Sequence, residues 1–183
     1  MWWFVSRKCF YPAGRKQTEN MSETIKTGAS FNRASSRQDY ITPPDFIAAV
    51  QNRFGSINCD LAASKENAHG PMWIDKDHDS LSEQVSWHKI PGILWLNPPF
   101  SDITPWAEKC ASEGSRGAKI LFLTPASVGS NWFMNFVFPF AHVLFLNGRI
   151  KFVGCKDYYP KDCMLSCYGF VKTGIDIWKW NIY

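Results

Sequence analysis

Three observations predict an α/β fold, with a mostly parallel sheet, helices on both faces and an antiparallel C-terminal edge. Short unbroken apolar runs, GILWLN at 92–97 and AKILFLTP at 118–125, have the composition of strands buried on both sides. Segments with apolar residues at helical spacing separate these runs. The last third holds several strand-like runs with no helix between them, which calls for antiparallel neighbours. The 183 residues suit one ordinary domain, and 45% apolar with 20% charged residues is a globular composition.

Residues 1–38 are rich in Ser, Thr, Asn, Arg and Lys and have few spaced apolar positions, so they are predicted to be a disordered, basic segment ahead of a domain over 39–183. Arg7, Lys8, Arg15 and Lys16 stand against Glu19, so residues 1–20 hold +3 of the chain's net +4. Bulk charge therefore gives no argument for nucleic-acid binding by the domain itself, and Met21 is an alternative start. The first helix is predicted in ITPPDFIAAVQNRFG. Thr42 is the expected N-cap, Pro43 the first helical residue, and Phe46, Ile47, Val50 and Phe54 the buried stripe, with Gly55 as the stop.

A short strand follows in SINCDLAAS, with Asp60 near its C-terminal end, and WIDKDHDSLSEQVSW reads as an acidic strand-to-loop segment. GILWLN is a strand. DITPWAEKCASEG is a helix closed by Gly114, and AKILFLTP is the next strand. SNWFMNFVFPFA reads as a helix stopped near Pro139, HVLFLNGRIKFVG as strand, turn and strand, and the remainder as one or two final strands.

No run approaches the roughly 18 apolar residues that span a bilayer, and MWWFVSRKCF reverses the order of a secretory leader. The expected setting is cytoplasmic, without a membrane partner. The six cysteines match no common zinc spacing, and no His sits at ligand distance from a pair. Free thiols in a reducing compartment and no bound metal are expected.

In open α/β sheets ligands sit beyond the carboxyl ends of strands. Asp60 and Asn97 end strands there, and Asp79 follows the acidic segment. The chemistry concentrates in Asn97-Pro98-Pro99-Phe100. Two prolines fix two consecutive φ angles and remove two N–H donors, leaving a stiff corner of acceptors. The Asn97 side-chain carbonyl and the Pro98 main-chain carbonyl match the two N–H bonds of an exocyclic amine, whose lone pair is then free to attack. Phe100 offers a flat face for a planar group.

This tetrapeptide resembles the catalytic motif of amino-methyltransferases that use S-adenosylmethionine. The wider set resembles the small phage-type DNA N6-adenine methyltransferase family. It comprises ITPPDF at 41–46, INCDLAASKENA at 57–68, DHDSLSEQVSW at 77–87, LNPPFSDITPWAEK at 96–109, LTPASVGSNWF at 123–133 and GRIKF at 148–152. The resemblance implies a Rossmann-like methyltransferase domain that methylates a flipped-out adenine in DNA, with S-adenosylmethionine as cofactor. It implies that Thr42 and Pro43 border the methionine part of the cofactor and that Asp60 is the acid of the first cofactor motif. Asp79 lies near the cofactor adenosine or the target base, Asn97, Pro98, Pro99 and Phe100 are catalytic, and Arg149 and Lys151 contact DNA phosphates. Protection from restriction is a role the family suggests.

One departure is plain: after Asp60 a Gly-rich turn is expected, but DLAASKENAHG has no glycine until Gly70. Trp106 and Trp132 read as core residues on helices rather than as stacking platforms. Three alternatives stay open. A cytosine-N4 methyltransferase uses the same amine logic, though its motif usually begins with Ser. A protein glutamine methyltransferase normally carries the Gly-rich turn. A non-catalytic relative would bind DNA or a partner protein. The oligomeric state and the recognition sequence are not legible.

Overall fold

The computed structural model describes residues 40–181; the segment 1–38, predicted to be disordered, lies outside the described residues. Helix α1 (Pro44–Phe54) leads into β1 (Ile57–Asp60) and the two-residue strand β2 (Met72–Trp73). Strand β3 (Ile93–Leu96), helix α2 (Thr104–Ser115) and strand β4 (Lys119–Pro125) follow. A π-helical turn (Phe133–Val137) precedes β5 (Ala141–Asn147), β6 (Cys163–Tyr168) and β7 (Gly174–Lys179).

The seven strands lie in the order β2-β1-β3-β4-β6-β5-β7. β2, β1, β3 and β4 are mutually parallel, β6 is antiparallel to both β4 and β5, and β7 is parallel to β5. The expected reversed strand from the C-terminal third is thus present, but it lies inside the sheet between β4 and β5, and the edge strand β7 runs with the majority.

Strand alternation divides the core cleanly. Leu94, Leu96, Ile120 and Phe122 face Ala107, Cys110 and Ala111 of α2 and Phe133 and Val137 of the π-helical turn. Ile93, Trp95, Leu121 and Leu123 face the other way, against Phe46, Ile47 and Val50 of α1. Helices therefore cover both faces, and each fully buried large side chain contributes roughly 1.5–3 kcal/mol.

Four local expectations change. The N-cap of α1 is Pro43, with φ −70° and ψ 144°, and not Thr42, whose hydroxyl is used elsewhere. Helix α2 continues past Gly114 to Ser115 and is capped by Arg116. Gly114 instead permits close packing, since an added Cβ would stand 2.7 Å from Cβ of Tyr168. The segment SNWFMNFVFPFA widens to π geometry, with Phe138 N–H donating to Phe133 O at 2.9 Å, before the turn that holds Pro139. GRIKF is not a hairpin. Ile150 and Phe152 are buried and alternate with exposed Arg149 and Lys151, but no strand pairs with them, and the segment belongs to a long β5–β6 loop.

Among the described residues, no helix is long and apolar enough to cross a membrane, and no three His, Cys, Asp or Glu side chains gather as a metal site. Cys59, Cys110, Cys155, Cys163 and Cys167 are free thiols.

Candidate active site

β1 and β3 are adjacent and parallel, with Asp60 in register with Trp95, so Asp60 and Asn97 emerge at one carboxyl edge of the sheet. The Asn97 side chain is tied down. Its Nδ2 donates to the carbonyl of Tyr40 at 2.6 Å and to Oγ1 of Thr42 at 3.1 Å. A backbone carbonyl only accepts, so this pairing fixes which end of the amide is which. The other end, Oδ1, is buried and has no hydrogen-bond partner. An acceptor held in place and left unsatisfied costs about 1–3 kcal/mol, which a ligand donor would recover. Pro98 is buried, Pro99 is exposed and Phe100 is half-buried.

Phe100 belongs to an aromatic cluster. Its ring lies 5.7 Å from that of Tyr40 at 30°, 6.1 Å from Phe152 at 65° and 5.6 Å from Tyr159 at 66°. Tyr40 thus supports the corner twice, through its carbonyl on Asn97 and its ring on Phe100.

Asp60 is 3% exposed. Its Oδ1 accepts from Ala62 N–H at 3.3 Å and its Oδ2 from His69 N–H at 3.2 Å. The carboxylate therefore clasps both ends of the loop that follows β1. This is how a glycine-poor loop keeps its shape: an acid supplies the constraint that a Gly-rich turn would supply by conformation. Burial pushes the Asp60 carboxyl up to about 6, while the two N–H bonds pull the other way. Gly70 closes the loop. An added Cβ there would stand 2.9 Å from the Asn58 carbonyl carbon, so only glycine lets the chain cross directly against β1.

Two neighbouring spaces flank this edge. A cavity of about 700 Å³ is lined by residues 61–66, 73–77, Asp79, Ser80 and Trp106. A narrow space of about 20 Å³ is lined by Tyr40, Thr42, Asp60, Trp95 and Asn97, among others, and shares Ala62 and Ala63 with the cavity. Asp79 is exposed on the cavity wall, with φ +39°, and its Oδ1 accepts from Leu81 N–H at 3.2 Å in a local turn. Lys109 of α2 pins this wall, donating to Ser80 O at 2.8 Å and Ser82 O at 2.6 Å while lying 5.0 Å over the Trp87 ring. Burial lowers the Lys109 pKa.

A sequence model of the DNA N-6-adenine-methyltransferase (Dam) family matches residues 29–167. The chain belongs to that family. An Escherichia phage T1 protein named DNA N-6-adenine-methyltransferase is 30% identical over 97 residues, which is 53% of this chain and 40% of that protein. The chain thus matches less than half the length of that relative. The sheet order and the single reversed strand agree with a Rossmann-like methyltransferase fold.

In this Dam-family chain the residues expected at the site divide into groups. Thr42, Asp60 and Asn97 come together around the narrow space, with Pro43 beside them as the α1 cap. Asp79 lies on the cavity wall. Arg149 and Lys151 are exposed on the β5–β6 loop, with Arg149 Nε 3.5 Å from Asp162 Oδ1. Trp106 is half-buried, stacks on Trp87 at 6.5 Å and also lines the cavity, whereas Trp132 packs edge-on against Phe133. The sequence reading missed Tyr40, Tyr159, Lys109 and the packing role of Gly70. For Lys109 a signal existed: it is a cation one turn after Trp106 and four residues before the buried Glu113.

Proposed function

We propose that the protein is an S-adenosylmethionine-dependent DNA N6-adenine methyltransferase that acts on an adenine swung out of the helix. The observation that carries this reading is Asn97, whose Oδ1 is buried and unpartnered while its Nδ2 is held by Tyr40 and Thr42. In this reading that oxygen and the Pro98 carbonyl accept the two N–H bonds of the adenine amine. Accepting both turns the lone pair away from the protein and toward the cofactor side. Phe100 gives the base a face, on a ring backed by Tyr40 and Tyr159.

The residues present fit the cofactor. Trp73, Ile74 and Trp106 offer apolar walls for a purine ring, Asp79 offers acceptors for ribose hydroxyls, and the neighbouring narrow space has Asp60 and Asn97 in its lining. When bound, S-adenosylmethionine supplies a methyl group on a positively charged sulfur. The chain's own task is placement, and holding two reactants in register is worth several kcal/mol of barrier. No strong base is required, because a methylated ammonium is acidic enough to release its proton from the Asn97–Pro98 acceptors to water. Withdrawing the base costs a few kcal/mol, offset by stacking and edge hydrogen bonds.

Incubation with radiolabelled S-adenosylmethionine and unmethylated plasmid DNA, then digestion to nucleosides, tests the proposal. Label in N6-methyladenine supports it. Label in N4-methylcytosine, label in protein, or none at all overturns it. Asn97→Ala is expected to lose turnover by at least tenfold while binding cofactor within about twofold of wild type, since the lost acceptor faces the base and is worth roughly 1–3 kcal/mol.

A further inference from the structure

The β5–β6 loop, residues 148–162, has features that the proposed methyl transfer does not use. Residues 40–183 hold 13 Lys and Arg against 13 Asp and Glu, and this loop alone holds Arg149, Lys151, Lys156 and Lys161 against Asp157 and Asp162. The rest of that stretch is therefore net acidic by two, and the large cavity is lined by Glu66, Asp75, Asp77 and Asp79 against Lys65 and Lys76. A polyanion is repelled from the cavity rim and drawn to the loop.

The loop is mounted at the right edge. β5 is parallel to β4 and β3, so the loop leaves β5 on the side of the sheet where Asn97 emerges. It is also held firmly. Tyr159 N–H donates to Ile150 O at 2.8 Å, Val153 N–H to Ile41 O at 3.0 Å and Ala126 N–H to Asp162 O at 2.8 Å. Ile150 and Phe152 are buried beneath it.

On this frame two adjacent tyrosines point to different surroundings. Tyr159 packs on Phe100, with 5.6 Å between ring centroids. Tyr158 is 62% exposed. A large aromatic displayed on a fixed, basic loop, one residue from a side chain that touches the candidate stacking ring, has no role in the core.

Resting on the function proposed above, we infer that residues 148–162 are the surface that meets double-stranded DNA, and that Tyr158 is a wedge. When the target adenine leaves the duplex, its neighbours lose a stacking face on each side. Tyr158 enters that gap and stacks in its place, as inserted side chains do in proteins that unstack base steps. The loop cations hold the flanking phosphates. Tyr158 is a positioning residue: it acts on the duplex around the adenine and leaves the amine to Asn97.

The wedge matters only where there is a duplex to prop open, and that sets the test. Methylation of unmethylated plasmid DNA is measured in its native form and after heat denaturation, with wild type, Tyr158→Ala and Tyr158→Phe, alongside melting temperatures. On native DNA, Tyr158→Ala is expected to lower kcat/KM about ten- to a hundredfold, the loss of one base–aromatic stack. On denatured DNA it stays within about threefold of wild type, and Tyr158→Phe stays close to wild type on both. A Tyr158→Ala protein equal to wild type on native DNA overturns the wedge. So does an equal loss on both substrates, or a Phe variant as poor as Ala. A wild-type protein that methylates neither substrate overturns the function proposed above, and the wedge with it.

Discussion

Replacing Thr42 by Val tests how Asn97 is held. The two side chains have the same shape, so no cavity forms, and only Oγ1 is lost. That oxygen accepts from Asn97 Nδ2 at 3.1 Å, and Thr42 is 1% exposed, so water does not take its place. One Nδ2 hydrogen keeps the Tyr40 carbonyl at 2.6 Å and the other faces a methyl group. A lost hydrogen bond with a buried donor left over costs about 1–2 kcal/mol. In a domain of this size that lowers Tm by about 3–6 °C. The same loosening lets the amide rotate, so Oδ1 no longer waits where the amine arrives. An expected loss of about five- to tenfold in kcat corresponds to about 1–1.4 kcal/mol of barrier. Cofactor affinity, measured by calorimetry without DNA, is expected to stay within twofold, and Thr42→Ser is expected to restore kcat. A Val variant with wild-type kcat refutes the reasoning. A variant that keeps kcat but binds cofactor poorly assigns Thr42 to the cofactor instead.

The Asp60 carboxyl has its folded pKa raised from 3.8 to about 6 by burial. Its ionisation therefore works against the fold at pH 7, and that penalty disappears as pH falls from about 6 toward 4. Relative to Asp60→Asn, wild-type Tm should rise across that interval on acidification, whereas a flat difference between the two curves would contradict the assignment. Replacements of Phe100 should rank by ring. Tyr is expected to stay active and Leu to fall about 10- to 100-fold in kcat/KM; Leu at wild-type activity would make Phe100 a packing residue only. Gly70→Ala forces a Cβ to 2.9 Å from the Asn58 backbone and should cost about 1–3 kcal/mol in denaturant melts, a loss that an unaltered midpoint would disprove.

Much of this architecture was legible because it is written locally. The β3 run and the Ile120–Leu123 part of β4 alternate between two buried faces and have no polar positions to confuse the reading. Asn97 and Asp60 could be placed because strand ends in a parallel sheet share an edge. What was not legible depends on partners far away in the chain. Thr42 has the chemistry of an N-cap, but its hydroxyl is taken by a residue 55 positions on. Ile150 and Phe152 alternate like a strand because they fill the core beneath a loop, and the sequence carries no sign of a missing ladder. The place of β6 between β4 and β5 is a pairing choice between strands of similar composition, which only the assembled sheet decides. The Asp60 clasp escaped notice because a carboxylate ending a strand invites a ligand reading, and its two N–H donors lie two and nine residues away.

The reversed strand has an evolutionary corollary. Because β6 returns alongside β5, the two ends of the 148–162 loop are neighbours in the sheet, with Phe145 paired to Met164. A segment whose endpoints are already fixed can grow, shrink or be exchanged at an entropic cost that rises only with the logarithm of its length. The Asn97–Phe100 corner hangs on β3 and the α1 approach, with β4 between β3 and β6, and it meets the loop where Phe100 packs on Phe152 and Tyr159. The largely exposed stretch 154–158 can thus change, whereas Ile150, Phe152 and Tyr159 are tied to the core and to Phe100. Grafting segments of different length between Val153 and Tyr159 is the engineering route that this topology opens.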